Sequence, residues 1–271
     1  MLCDFHAQLF DESGYAEELT ETAKNLGFDK LCIGGGEARF ALASNAEVLR
    51  QAETYPELFI PFAFFRLGKD DAYVVEELHR RGFRGLRVSA PPAPYDASEF
   101  AEVYEAAEVL HMPVLFHTGL LPPTPLDRAF AGRSEWMRPI CLDTLARLFP
   151  GLRIVGCGLG MPWCEEAAEV LAHHGNVFFD ICVATLRKKD LQFFRSLLGG
   201  PSNVVLEEQP SRTLWTKIVF GSGVRHEEIA SVERNYQRLF RSLALPQEVI
   251  EAIMGGTAAR LLGISGGTSQ D

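Results

Sequence analysis

Acidic, basic and amide side chains recur in this 271-residue chain at the ends of short apolar runs, where they could hold an anion or move a proton. The first run ends in Asp4-Phe5-His6-Ala7-Gln8, the fourth carries Arg87, the fifth closes on Phe116-His117, and the seventh on Phe179-Asp180. Arg66 follows the third run, and the eighth leads through Gly221-Ser222-Gly223 to His226. His6 and His117 are the candidate proton-transfer groups, because imidazole titrates near neutrality. Asp4, Gln8, Arg66, Arg87, Asp180 and His226 complete a polar set that suits a small anionic or carbonyl compound. Arg87 is the natural carboxylate anchor through two parallel hydrogen bonds; a salt bridge to Asp4 or Asp180 is its alternative role.

The elements that must position these residues follow from the alternation of short apolar runs with longer segments of helical period, the pattern of βα units around a parallel sheet. Eight strands are expected, over 2–6, 30–34, 58–65, 85–89, 113–117, 153–158, 177–181 and 217–221. Helical segments such as 16–26, 72–81, 99–110 and 165–174 lie between them, and 227–243 and 246–262 follow the last strand. This is the arithmetic of a single (β/α)8 TIM barrel over 1–265, with a flexible tail over 266–271. An open doubly wound sheet is the alternative, but no G-x-G-x-x-G follows the first strand. In a barrel the carboxyl ends of the strands build the active site, which is where the residues above stand. Two connections are longer than a barrel needs, 118–139 and 199–216. The first contains Pro122, Pro123, Pro125, Arg128, Arg133 and Trp136 and reads as a lid, or else as a loop packed on the rim.

Composition narrows the partners. A net charge of -10 disfavours nucleic acid and anionic membranes. The amino terminus lacks a secretory signal pattern, and no apolar run is long enough to span a bilayer, so a soluble cytoplasmic protein is expected. The six cysteines, Cys3, Cys32, Cys141, Cys157, Cys164 and Cys182, form no C-x-x-C pair and read as reduced thiols, several of them within strand-like runs.

Several of these features together resemble the amidohydrolase-related family of metal-dependent hydrolases and aminocarboxymuconate semialdehyde decarboxylase-like enzymes. They are the Asp4-x-His6 opening, Gly82-Phe83-Arg84-Gly85-Leu86-Arg87, His117, and the turn Leu159-Gly160-Met161-Pro162-Trp163. Phe179-Asp180, Phe220-Gly221-Ser222 and the segment from Met254 to Leu262 complete the likeness, which runs nearly end to end. The resemblance implies a D-x-H-x-H opening, a His after strand five and an Asp after strand eight as metal ligands, and a His after strand six as acid and base. Here Gln8, Gly158 and Gly223 stand at three of those positions, and only His6 and His117 match. Two imidazoles fall short of the three protein ligands a catalytic zinc normally takes, so no metal or other cofactor is expected. With Gly158 as the inward residue of strand six, Cys157 should turn toward the helices as a core thiol.

Three readings stay open at this point. One is a metal-independent hydrolase, lactonase or decarboxylase of a small acidic carbonyl compound, with His6 or His117 moving the proton and Arg87 as the anchor. The second is a non-catalytic barrel that binds a small molecule or a protein. The third is a metal-dependent hydrolase with unrecognised ligands. The resemblance alone adds the expectation of a homodimer.

Overall fold

The computed structural model describes residues 1–121, 123, 132–199 and 214–264. All eight expected strands form: β1 Cys3–Gln8, β2 Lys30–Gly34, β3 Phe59–Phe65, β4 Gly85–Val88, β5 Val114–Phe116, β6 Ile154–Gly156, β7 Val177–Asp180 and β8 Ile218–Val219. Each pairs in parallel with the next in chain order. The ring closes where the Phe5 N–H donates to Phe220 O at 2.9 Å and the Gly223 N–H to His6 O at 3.0 Å. A (β/α)8 barrel is the result.

Helices cross back between the strands: α1 Tyr15–Asn25, α2 Asn45–Thr54, α3 Ala72–Arg81, α4 Ala101–Val109, α5 Cys141–Leu148 and α6 Cys164–His173. The connection after β7 carries α7 Val183–Lys188 and α8 Leu191–Leu198, and α9 His226–Leu243 follows β8. Side chains that accept from the first turn cap three of these helices: Ser44 for α2, Asp71 for α3 and Asp190 for α8. The expected single helix over 246–262 is divided into α10 Gln247–Glu251, a wide turn over Ala252–Gly256 and α11 Thr257–Leu262. The division has a cause in β8: Ile253 O accepts the Phe220 N–H at 2.8 Å. Among the described residues no helix is long and apolar enough to cross a membrane.

Strand alternation divides the apolar residues into two layers. Cys3, Phe5, Cys32, Phe62, Leu115, Val155 and Val219 fill the barrel interior, with Phe5 and Phe62 edge to face at 5.3 Å. Leu31, Ile33, Leu86, Val114, Ile154 and Phe179 face the helices. One irregularity matters for the site. The β1–β2 register shifts between Asp4 and Ala7, so β1 carries one extra residue. Such a bulge re-aims side chains. It lets His6 reach the cavity at the carboxyl end while Phe5 still packs inside the barrel.

Asp4 ties the two ends of the ring together. Fully buried, its Oδ1 accepts from the backbone N–H groups of His6 at 2.9 Å and Ser222 at 3.0 Å. Burial raises its pKa above the ordinary carboxylate value, against the opposing effects of Ser222 and His6. Asp4→Ala leaves two buried donors unanswered and should cost about 2–4 kcal/mol in urea denaturation. Asp4→Asn keeps the Oδ1 acceptor without the buried charge and should cost about 1 kcal/mol or less. Equal losses in the two variants would show that Asp4 does not work through these hydrogen bonds.

Candidate active site

A cavity of about 680 Å³ opens at the carboxyl ends of the strands. Its floor and walls follow from the inward positions of the strand ends. His6 and Gln8 come from β1, Phe64 from β3, Arg87 from β4, His117 from the end of β5, and Cys157 from the end of β6. Glu37, Leu120, Met161, Val183 and Lys188 line it from the loops and α7.

The orientation of Cys157 corrects the reading of it as an outward core thiol. Ile154 faces the helices and Val155 the barrel interior, so two residues on Cys157 also turns inward. Its Sγ lies 3.9 Å from His6 Nε2. Burial above all, with the Asp180 charge next, pushes its thiol pKa well up, while Arg87 pulls the other way. Cys157 is therefore a thiol rather than a thiolate at neutral pH. Gly158, assigned the inward slot from the sequence, instead begins a tight turn with φ +68°. A side chain there would sit in the left-handed region and meet Cys182 Sγ at 3.0 Å.

His6 is held from behind. Its Nδ1 lies 2.7 Å from Asp180 Oδ2, and Asp180 Oδ1 accepts the Gly158 N–H at 2.5 Å. A carboxylate accepts, so Nδ1 carries a proton, and Nε2 is the nitrogen turned to the cavity side, at Cys157. Asp180 is fully buried and does not line the cavity; its part is to orient His6.

Arg87 reaches across the end of β2, where its Nη1 donates to Gly34 O at 2.9 Å. Glycine is required at 34, because a methyl group there would overlap the Arg87 side chain. No carboxylate among the described residues lies within salt-bridge distance of Arg87, so the internal ion pair with Asp4 or Asp180 does not form. Burial lowers its pKa, opposed by the more distant Cys157, Asp180 and Asp4. His117 donates from Nε2 to Leu120 O at 3.3 Å, which leaves Nδ1 as the lone pair. Burial pushes its imidazole pKa down to about 4, partly offset by that hydrogen bond, so it is neutral across the physiological range.

Three residues of the sequence-derived set stand elsewhere. Arg66 is exposed and closes on Asp70, with Nη2–Oδ1 at 2.7 Å. His226 begins α9, packs edge-on against Tyr15, and places Nε2 2.9 Å from Glu18 Oε2. Asp4 belongs to the ring closure described above. None of the three lines the cavity. Of the expected lid, residues 122 and 124–131, and with them Pro122, Pro125 and Arg128, lie outside the described residues, as do most of 199–216 and the tail over 266–271. Its described root is pinned, with Gly119 N–H on Met137 O at 3.2 Å and Leu121 N–H on Ser134 Oγ at 3.3 Å.

Among the described residues one group of possible metal ligands stands at the base of the cavity. Possible ligand atoms of His6, Cys157 and Asp180 lie within 4.8 Å of one another. Asp180 and His6 Nδ1 are engaged with each other, and the second Asp180 oxygen is engaged with Gly158. Within that group His6 Nε2 and Cys157 Sγ are left, two donors where a catalytic zinc takes three; His117 lines the same cavity but is not among the grouped ligand atoms. Gly158 and Gly223 bring only backbone, and Gln8 brings a neutral amide.

Comparison with known proteins places this architecture. A family model described as Amidohydrolase matches residues 35–264. No curated protein sequence matches. An uncharacterized TIM-barrel protein from Bordetella bronchiseptica is similar in structure, with 18% identity, a TM-score of 0.72, and coverage of 97% of this chain and 98% of that one. The 5-carboxyvanillate decarboxylase of Sphingomonas paucimobilis is 15% identical with a TM-score of 0.63, covering 97% and 99%. A probable 2-pyrone-4,6-dicarboxylic acid hydrolase from Acinetobacter baumannii, with citric acid bound, is 12% identical with a TM-score of 0.63, covering 97% and 99%. At these identities the structural likeness shows the fold, and the family match shows the lineage: the chain belongs to the amidohydrolase family.

Proposed function

We propose that this protein is an enzyme that hydrolyses or decarboxylates a small acidic carbonyl compound without a resident metal. The observation that carries the reading is Arg87, a half-buried guanidinium in the cavity whose described hydrogen bond goes to a neutral carbonyl. A buried cation is costly unless it is paired, and a ligand carboxylate supplies the missing partner. His6 stands in the same cavity with a free Nε2 and a carboxylate behind it, the arrangement of an oriented general base. Two of the similar structures are named for carboxylated compounds, 5-carboxyvanillate and 2-pyrone-4,6-dicarboxylic acid, which supports the substrate class.

The roles divide among the strand ends. Arg87 binds the carboxylate and fixes the register of the substrate. His6 Nε2 takes or returns a proton at the reacting carbonyl group. Neutral His117 offers Nδ1 as a hydrogen-bond acceptor from the opposite wall. Phe64, Leu115 and Met161 exclude water around the reacting atoms.

Chelator-treated protein should bind a small dicarboxylate such as glutarate in titration calorimetry. Arg87→Met should weaken that binding at least about thirtyfold, the loss of a buried charge pair. Unchanged affinity in the variant, or no binding of any small dicarboxylate by the native chain, would overturn the anchor. Turnover that persists with substoichiometric metal by elemental mass spectrometry supports a metal-free reaction, and turnover restored only by added zinc or manganese sinks it.

His117 makes a separate pH prediction. Its folded pKa of about 4 lies below the ordinary 6.5, so between those values the unfolded chain binds the proton and the folded chain does not. Stability is therefore lost as pH falls through that window. His117→Asn should be spared a loss on the order of 2 kcal/mol relative to the native chain between pH 7 and pH 4. Parallel pH curves for the two proteins in urea denaturation would contradict the depressed pKa.

A further inference from the structure

We infer that Cys157 is a nucleophile, activated by His6 and positioned by Asp180, and that the reaction passes through a thioester on its Sγ. This rests on the reading of the cavity as the site of a small acidic carbonyl compound, and narrows it to acyl transfer: hydrolysis of an ester or lactone.

Three observations carry the assignment. Sγ, His6 Nε2, His6 Nδ1 and Asp180 Oδ2 form one line of contacts, at 3.9 Å and 2.7 Å across its two joints. Nucleophile, base and orienting carboxylate are the parts of a catalytic triad, whose first contact is often long before substrate binds. The line ends in the cavity, since Cys157 and His6 both line it and Asp180 stands behind them. Arg87 lines the same cavity, so a substrate held by its carboxylate brings its acyl carbon among these groups. Cys182 also borders the cavity, but the thiol placed on the free nitrogen of His6 is that of Cys157.

The chemistry balances without a redox partner. His6 Nε2 takes the thiol proton as Sγ adds to the ester carbonyl carbon. The C–O bond to the alcohol then breaks, and the departing oxygen receives that proton. In a lactone the alcohol stays tethered to the acyl group. Water next adds to the thioester carbon as His6 takes its proton, the C–S bond breaks, and Sγ regains the proton. The net change is ester plus water to acid plus alcohol. A thiol that is protonated at rest needs the base beside it, so His6 and Cys157 act as one unit.

The test uses the full chain with chelator present and the mono-para-nitrophenyl ester of glutaric acid, which joins a carboxylate to an activated acyl group. A burst of nitrophenolate and a mass increase of one glutaryl group, mapped to Cys157, are expected. Cys157→Ala and Cys157→Ser should lose the label at Cys157 and lower kcat/KM at least about a hundredfold, with melting temperatures near that of the native chain. His6→Asn should slow acylation by a similar factor while binding glutarate as the native chain does. Glutaryl on Cys182 or another residue, native turnover in Cys157→Ala, or no acylation in a protein that binds glutarate would each overturn the nucleophile and leave the acid-binding reading standing. Failure to bind glutarate at all would instead remove the reading beneath it. Should Cys157→Ala not fold, the burst and label map of the native chain and of Cys157→Ser decide the matter.

Discussion

Fully buried, the Asp180 carboxylate places one oxygen 2.7 Å from His6 Nδ1 and the other 2.5 Å from the Gly158 nitrogen. These contacts join the ends of three strands, β7 to β1 and to β6, at the base of the cavity. A carboxylate without water must have donors on both oxygens, so the backbone after β6 and the ring of His6 are fixed together. The His6 tautomer follows from this, and so does the direction of its free nitrogen. The Thr118 hydroxyl donates to Cys157 O at 2.6 Å and the Thr185 hydroxyl to Gly158 O at 2.7 Å, holding the same turn from β5 and α7.

Gly158 and Gly223 take part in the site through their backbones. Both residues have positive φ, and both use their backbone N–H in the new arrangement: Gly158 donates to Asp180 and Gly223 to His6 O. Returning His at 158 would force a bulky side chain into a left-handed conformation against Cys182. Hydrogen bonds hold His6 at the base of the site, and the thiol of Cys157 occupies the position facing Nε2.

The barrel was legible because each βα unit carries its own apolar period, and the eight strands form within a few residues of where that period ends. His6, Gln8, Arg87 and His117 were legible as cavity residues for the same reason, since strand ends alternate inward and outward. Cys157 was misassigned because the inward slot was taken from the family position at Gly158; counting two residues from Val155 gives the right face. Arg66 and His226 lie just beyond their strands, where period two no longer applies and the nearest carboxylate decides. Asp70 takes the first and Glu18 the second. The bulge in β1 has no sequence signal, and neither does Gly34 as the residue that lets Arg87 cross β2.

Under the proposed reading, the lining of the cavity favours a small anion through Arg87. Arg87 faces a neutral carbonyl, His117 is neutral, and the carboxylate nearest the chemistry, Asp180, is hidden behind His6. Of the charged side chains that line the cavity, Arg87 and Lys188 are cationic and Glu37 is acidic. The apolar wall of Phe64, Leu115, Met161 and Val183 packs well on a short carbon skeleton, beside the polar Gln8, Ser89 and Thr118. Under the proposed reading, a carboxylate anchored at β4 and an acyl carbon brought toward β1 and β6 would set the substrate across the barrel mouth. Binding energy at the non-reacting end can then orient the carbonyl group for His6 and Cys157.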